Sequence, residues 1–222
     1  MRKQKSKKVF IYFFLFLSIV SLNNKNLINA NFVQVNKISI KGLDEKSNLL
    51  IKKEINKLSL NNLFFIDKVK IIKIIRSNNL VENFSVFKIY PSSIDIKIDQ
   101  TKFLAKLKKG EKYYILGSNG KLIENKNDID VPFIYGAFEE KNFFKLKKAI
   151  DDTNFNYNDI KSLFSFKSGR WDIETKNGIL ILLPKDKIKE SLELYLLFSK
   201  QNHKREINKF DLRQYNQVIT NG

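Results

Sequence analysis

The sequence predicts an α+β chain: one N-terminal transmembrane helix, then a β-α-α-β-β domain, then a mixed β-rich domain with two helices. Three observations carry that reading. An apolar run from Val9 to Leu22 follows a lysine-rich start, and Ile94, Ile96 and Ile98 alternate with Asp95, Lys97 and Asp99 directly after a Pro-containing turn. Lys176-Asn177-Gly178 separates two further strand-like segments. The first has the order of a membrane segment, and the other two have the order of antiparallel hairpins.

Arg2, Lys3, Lys5, Lys7 and Lys8 make residues 1–8 a basic tail, and the apolar segment, with Val9, Leu15 and Leu22 along it, stops at Asn23, Asn24, Lys25 and Asn26. Basic flanks stay on the cytoplasmic side, so the remainder is expected outside the cytoplasm. The apolar run spans about 21 Å as helix, against a hydrocarbon core of roughly 30 Å. That length suits a signal peptide cleaved after Ile28-Asn29-Ala30. Lys7, Lys8 and Lys25 can instead reach both interfaces and lengthen the span, which suits an uncleaved anchor over residues 9–24. On these residues alone both readings stand.

A first domain is expected over residues 32–101. Phe32 to Ile40 alternates as a half-buried strand and ends at Gly42. Ser47 is placed to cap a helix carrying Ile51, Ile55 and Leu58, and Asp67 to cap a second with Val69, Ile72 and Ile75 on one face, closed by Asn78-Asn79. Phe84 to Tyr90 then turns through Pro91-Ser92-Ser93 into the alternating isoleucines, giving the β-α-α-β-β order.

A second domain is expected over residues 102–222. Strands at Leu104 to Leu107 and Tyr113 to Leu116 lead through Gly117-Ser118-Asn119-Gly120 to Lys121-Leu122-Ile123. Val131 to Gly136 reads as an apolar connection and Asn142 to Asp152 as a helix. Strands follow at Ser162 to Phe166, Trp171 to Thr175 and Ile179 to Leu183, the last two joined by the Asn-Gly turn. Lys187 to Lys200 is an amphipathic helix with Ile188, Leu192, Tyr195 and Leu196 on one face. Lys209 to Arg213 and a short strand at Gln217 to Thr220 end the chain.

A net charge of +18 invites a nucleic-acid reading. Only Arg2, Arg76, Arg170, Arg205 and Arg213 of the 41 basic residues are arginine, the side chain suited to bidentate phosphate and guanine contacts. Dispersed lysine with abundant Asn, Ile and Phe is what an AT-rich coding sequence yields, so no nucleic-acid partner is expected. The absence of cysteine excludes disulfides, thiolate catalysis and thiolate-bound metals. The single histidine, His203, lies in a polar stretch without a nucleophile or orienting partner beside it. Asp128-Ile129-Asp130 lacks the further oxygens a hard cation needs. The pairs Glu139-Glu140 and Asp151-Asp152 show nothing that would separate their two pKa values, as a glycosidase dyad requires. No phosphate-binding glycine loop occurs. These residues predict a chain that is not an enzyme and that takes no cofactor, metal or small-molecule substrate. Trp171 reads as a buried strand anchor.

The order and spacing of these pieces resemble the FtsQ (DivIB) family of cell-division proteins. The β-α-α-β-β unit after a membrane segment looks like a POTRA module, and Val86-Phe87-Lys88-Ile89-Tyr90-Pro91-Ser92-Ser93-Ile94 resembles the family's aromatic-Pro turn, with Lys88 where the family usually has Arg. Ala105, the Gly120 turn, and Val131-Pro132 to Gly136 resemble the start of the family's β domain. Arg170-Trp171-Asp172-Ile173, then Asn177-Gly178-Ile179-Leu180-Ile181-Leu182-Leu183-Pro184, then Phe210-Asp211-Leu212-Arg213 carry the resemblance furthest. It implies a bitopic inner-membrane protein with an uncleaved anchor in the bilayer and its C-terminal region periplasmic at the division septum. It also implies FtsB-like and FtsL-like partners and a position upstream of the septal peptidoglycan synthase. In that family the partner adds a strand at the last edge of the β domain, here by position Gln214, Tyr215, Asn216, Gln217, Val218, Ile219 and Thr220. Gln214 departs from the aromatic sometimes found there. The alternative is a POTRA-bearing component of outer-membrane or secretion machinery that binds unfolded clients by strand addition.

Overall fold

The computed structural model describes residues 3–22, 34–58, 60, 63, 66–124, 129–201, 207–214 and 216–221. The chain divides into two compact units, Met1–Gln100 and Thr101–Gly222.

The first unit opens with α1 (Lys3–Leu22). Its side chains from Val9 to Leu17, and Ile19, are exposed. Among the described residues no helix is long and apolar enough to cross a membrane. After it come β1 (Lys37–Lys41), α2 (Glu45–Asn56), α3 (Lys68–Ser77), β2 (Val81–Ile89) and β3 (Ser93–Gln100). The sheet runs β1-β3-β2, with β3 central, parallel to β1 and antiparallel to β2. The alternation in β3 places Ile94, Ile96 and Ile98 inward, where they meet Ile51 and Ile55 of α2 and Ile71 and Ile75 of α3. Gly42 ends β1 at φ +120, and a Cβ there would lie 1.7 Å from the Ile98 carbonyl oxygen, so only glycine fits.

Helices α2 and α3 correct details of the sequence reading. Asp44, not Ser47, caps α2: its carboxylate accepts from the Ser47 backbone N–H at 3.0 Å. Asp67 caps α3 as expected, accepting from the Lys70 N–H at 3.2 Å. The buried face of α3 is Ile71 and Ile75, whereas Val69 is 74% exposed. Every position from Ile71 to Ile75 except Lys73 is isoleucine, so two overlapping helical stripes were available, and packing against β3 selected one.

The second unit comprises β4 (Phe103–Lys109), β5 (Lys112–Gly117), β6 (Leu122–Glu124), β7 (Phe133–Gly136), α4 (Glu140–Asp151), a short 3-10 turn at Tyr157–Asp159, β8 (Ile160–Ser165), β9 (Trp171–Thr175), β10 (Leu180–Leu182), α5 (Ile188–Gln201), β11 (Lys209–Asp211) and β12 (Ile219–Thr220). These strands form one sheet in the order β12-β11-β10-β9-β8-β7-β4-β5-β6. Parallel neighbours β7/β8 and β10/β11 are the pairs joined through α4 and α5, because a parallel partner requires a crossover and a helix supplies it. Both helices bury their apolar stripes on one face of this sheet. Phe143, Leu146 and Ile150 of α4 and Ile188, Leu192 and Tyr195 of α5 share a core with Leu107, Ile134, Leu163, Ile173, Ile181 and Phe210. Trp171 is buried there, its ring 6.3 Å edge-on from Phe143.

The stretch Val131 to Gly136, read from sequence as a connection, contains strand β7 in the interior of the sheet, parallel to both β4 and β8. Ile134 points into the core while Phe133 and Tyr135 point away. Gly136 sits at φ +91 against the Ser165 carbonyl oxygen, 2.1 Å from where a Cβ would stand.

Candidate partner interface

The C-terminal edge of the second sheet is built by β11 and β12. Strand β11 is held by Leu180 N–H donating to the Asn208 carbonyl at 2.8 Å and Leu212 N–H donating to the Leu182 carbonyl at 2.9 Å. Phe210 and Leu212 are driven into the core, which fixes which face the intervening Asp211 takes. Arg213 then bends back, its Nε donating to both Asp211 carboxylate oxygens at 2.8 and 3.0 Å. These bonds hold the Asp211 carboxyl below the ordinary carboxylate range.

Of the segment expected to form the edge, the structure makes two parts. Gln217 N–H donates to the Gln214 carbonyl at 3.3 Å, closing a turn in which Asn216 has φ +56, a conformation Asn tolerates better than most residues. Only Ile219 and Thr220 pair as a strand, with Asp211 and Phe210 respectively. Val218 is half-buried against the core, and Ile219 is 50% exposed. Tyr215 lies outside the described residues. The Lys209 N–H donates to Asn221 Oδ1 at 2.9 Å, and the Asn221 amide meets the Asn208 side chain, so the last described residue is tied to the start of β11. Gln214, Asn216 and Gln217 are outside the strand because a turn is needed to reverse the chain after β11.

Cross-strand register extends one row over the face away from the helices: Ile219, Asp211, Leu182, Asp172, Phe164 and Tyr135. Asp172, only 5% exposed, faces Arg170 at 3.4 Å, and burial raises its carboxyl pKa against the pull of that guanidinium. The Arg170 guanidinium lies 4.2 Å above the Phe166 ring. Tyr135 stacks on Phe164 at 5.3 Å and 17°, and Phe133 lies 4.5 Å from Tyr135. This aromatic set went unread in the sequence, although the alternation Phe133-Ile134-Tyr135 is its signal.

The remaining polar features of the sequence are placed as follows. Glu139 accepts from the Asn142 side chain at 2.6 Å, Asp151 pairs with Lys147, and Asp152 caps α4. Asp130 pairs with Lys176 at 2.9 Å. Asp128 and His203 lie outside the described residues. Among the described residues no group of three or more His, Asp or Glu is placed to hold a metal ion. In the first unit β2 is a second sheet edge, beside a cavity of about 270 Å³ whose walls include Ile71, Ile72, Phe84, Val86, Lys68 and Lys88.

The second sheet thus ends in a two-residue strand, with ion pairs and stacked rings on the face away from its helices. Residues 105–213 match the family model described as cell division protein FtsQ/DivIB, C-terminal. The cell division protein DivIB of Bacillus subtilis (strain 168) is 32% identical over 135 residues, which cover 56% of this chain and 48% of that protein. The cell division protein DivIB of Clostridium botulinum (strain Loch Maree / Type A3) is 27% identical over 132 residues, covering 57% and 50%. The chain spans about half the length of the curated relatives it matches. Among solved structures, the major extracytoplasmic domain of the trans isomer of DivIB from Geobacillus stearothermophilus aligns at a TM-score of 0.36 and 11% identity, over 48% of this chain and 98% of that one. Residues 105–213 are therefore similar to the C-terminal region of the FtsQ/DivIB cell-division proteins. The match takes in Arg170-Trp171-Asp172 and ends at Arg213, the motifs on which the resemblance rested, and β12 lies beyond it.

Proposed function

We propose that this chain is a division scaffold that binds FtsB-like and FtsL-like partners at the β12 edge and links them to septal peptidoglycan synthesis. The observation that carries the reading is the terminal position of β12, which is paired on one side with β11 and stands last in the sheet order. A terminal strand offers backbone N–H and C=O groups that another chain's strand can complete. The match of residues 105–213 to the FtsQ/DivIB C-terminal model supports the division role. The first unit, β-α-α-β-β in order, is read as a POTRA-like domain. Its α1, with exposed apolar side chains behind a lysine-rich first turn, is read as the membrane anchor, because an apolar surface of that extent calls for a non-aqueous neighbour. On this reading the N-terminus is cytoplasmic, α1 lies in the inner membrane, and the rest of the first unit and the whole second unit are periplasmic.

The cavity beside edge strand β2 favours a second reading, in which the first unit captures extended client segments as a component of export or assembly machinery. A photocrosslinking residue at Ile219, exposed where Val218 is half-buried, separates the two in living cells. Capture of a small coiled-coil membrane protein from Ile219, and none from Phe87 of β2, is expected. Capture from Phe87 alone would overturn the edge-strand reading.

A further inference from the structure

Three segments of the second unit converge on a cavity of about 240 Å³: the first two turns of α4 with Asn142 and Lys145, the β8–β9 hairpin with Lys167 and Ser168, and the approach to α5 with Lys185, while Trp171 forms part of the wall. The convergence is close. A Cβ on Gly169 at the hairpin tip would stand 3.6 Å from Lys185 Cε and 3.8 Å from Asn142 Nδ2. Two carboxylates reach this place: Glu139 accepts from Asn142, and Asp186 accepts from Lys145 Nζ at 3.0 Å. Three ammonium groups therefore face two carboxylates.

Two further features add positive potential and donors. Both α4 and α5 begin at this cavity, and the α4 N-cap, Glu139, makes no side-chain hydrogen bond to the helix backbone. First-turn N–H groups and the helix dipoles favour an anion there. Independently, Trp171 is 1% exposed, and its indole N–H has no acceptor among the described residues. Indole nitrogen is a donor only, and buried donors are nearly always paired.

We propose that this cavity binds a phosphate-class anion, a compact multiply charged group with oxygens on all sides, either free in solution or carried by a lipid headgroup. Lysine acts as a point charge towards phosphate, whereas a planar carboxylate is matched best by an arginine fork, which the cavity lacks. Donors arriving from three segments suit a tetrahedral group. At roughly 30 Å³ of liquid volume per water, the space exceeds what a single water fills.

Trp171 is the chain's only tryptophan and so reports on its own cavity. The full chain in zwitterionic detergent is titrated with inorganic phosphate at constant ionic strength, and in a parallel arm with nanodiscs of phosphatidylglycerol or phosphatidylcholine, while indole emission is followed. A saturable change with phosphate assigns a free anion, and one with phosphatidylglycerol but not phosphatidylcholine assigns a headgroup. Lys167→Gln/Lys185→Gln, both at exposed sites, weakens the response by about tenfold or more, equivalent to roughly 1.4 kcal/mol. Lys145→Gln weakens it too, and Lys108→Gln/Lys109→Gln on the β4–β5 hairpin leaves it unchanged. No saturable response in either arm, or an equal response in Lys167→Gln/Lys185→Gln, overturns the proposal.

Discussion

Arg213 closes back on Asp211 two residues before it, donating from Nε to both carboxylate oxygens and from its backbone N–H to Oδ1 at 3.1 Å, so the turn out of β11 is clamped by one ion pair. The pair depresses the Asp211 pKa, chiefly through the side-chain hydrogen bond from Arg213. A carboxyl depressed on folding contributes stability that is present above its unfolded value of about 3.9 and is lost as pH falls through the folded value. Carbon-13 titration of the Asp211 carboxyl should therefore show a midpoint below that of an ordinary aspartate. In Arg213→Ala the midpoint should return towards the ordinary range, and an ordinary midpoint in the native chain would refute the clamp.

Asp172 has the opposite sign. Burial raises its pKa more than Arg170 lowers it, and Oδ1 has no hydrogen-bond partner among the described residues. A group whose pKa rises on folding contributes stability below its unfolded value and loses it as pH climbs through the folded one. Asp172→Asn removes that dependence. The melting temperature of the variant relative to the native chain should rise between about pH 4 and pH 7; a difference that falls over this range would show that the Arg170 attraction dominates.

The two stripes of α3 make a paired test of packing. Ile71 is 2% exposed and Val69 is 74% exposed. Ile71→Ala should cost about 2–5 kcal/mol of first-unit stability, and Val69→Ala no more than about 0.5 kcal/mol, in denaturant unfolding. Equal costs would restore the stripe the sequence suggested.

Elements with one strong local signal were legible before any coordinates: the isoleucine alternation of β3, the Asp67 cap, the Asn-Gly hairpin between β9 and β10, and the burial of Trp171. What was misread depended on partners distant in sequence. Whether Ile71 or Ile72 faces inward is settled by β3, and whether Phe133 to Gly136 is a strand is settled by β4 and β8 on either side. The lysine cavity was illegible for the same reason, since Lys145, Lys167 and Lys185 share no motif and meet only because two crossover helices start on one side of the β8–β9 hairpin.

Tyr157 offers a test of a long-range polar tie. Its hydroxyl donates to the Leu104 carbonyl at 2.8 Å, joining the 3-10 turn before β8 to strand β4, and burial pushes its pKa up. Tyr157→Phe leaves that half-buried carbonyl without its partner and should cost about 1–3 kcal/mol. Unfolding of the full chain followed by Trp171 emission measures it, and an unchanged midpoint would mean that water replaces the bond without loss.

Deleting residues 214–222 separates the role of β12 in folding from its role in binding. The deletion removes a two-residue strand, the turn before it and the half-buried Val218, but leaves Phe210 and Leu212 in the core and the Asp211–Arg213 clamp intact. Loss of one partly buried valine and one short ladder should lower second-unit stability by about 1–3 kcal/mol, a cost the remaining core can absorb. Partner capture should nevertheless disappear, because strand addition needs the backbone of β12 as its template. Truncated chain that keeps its thermal transition and still recovers the division partner in pull-down would show that the partner grips another surface, with the aromatic row of Phe133, Tyr135 and Phe164 the first place to look.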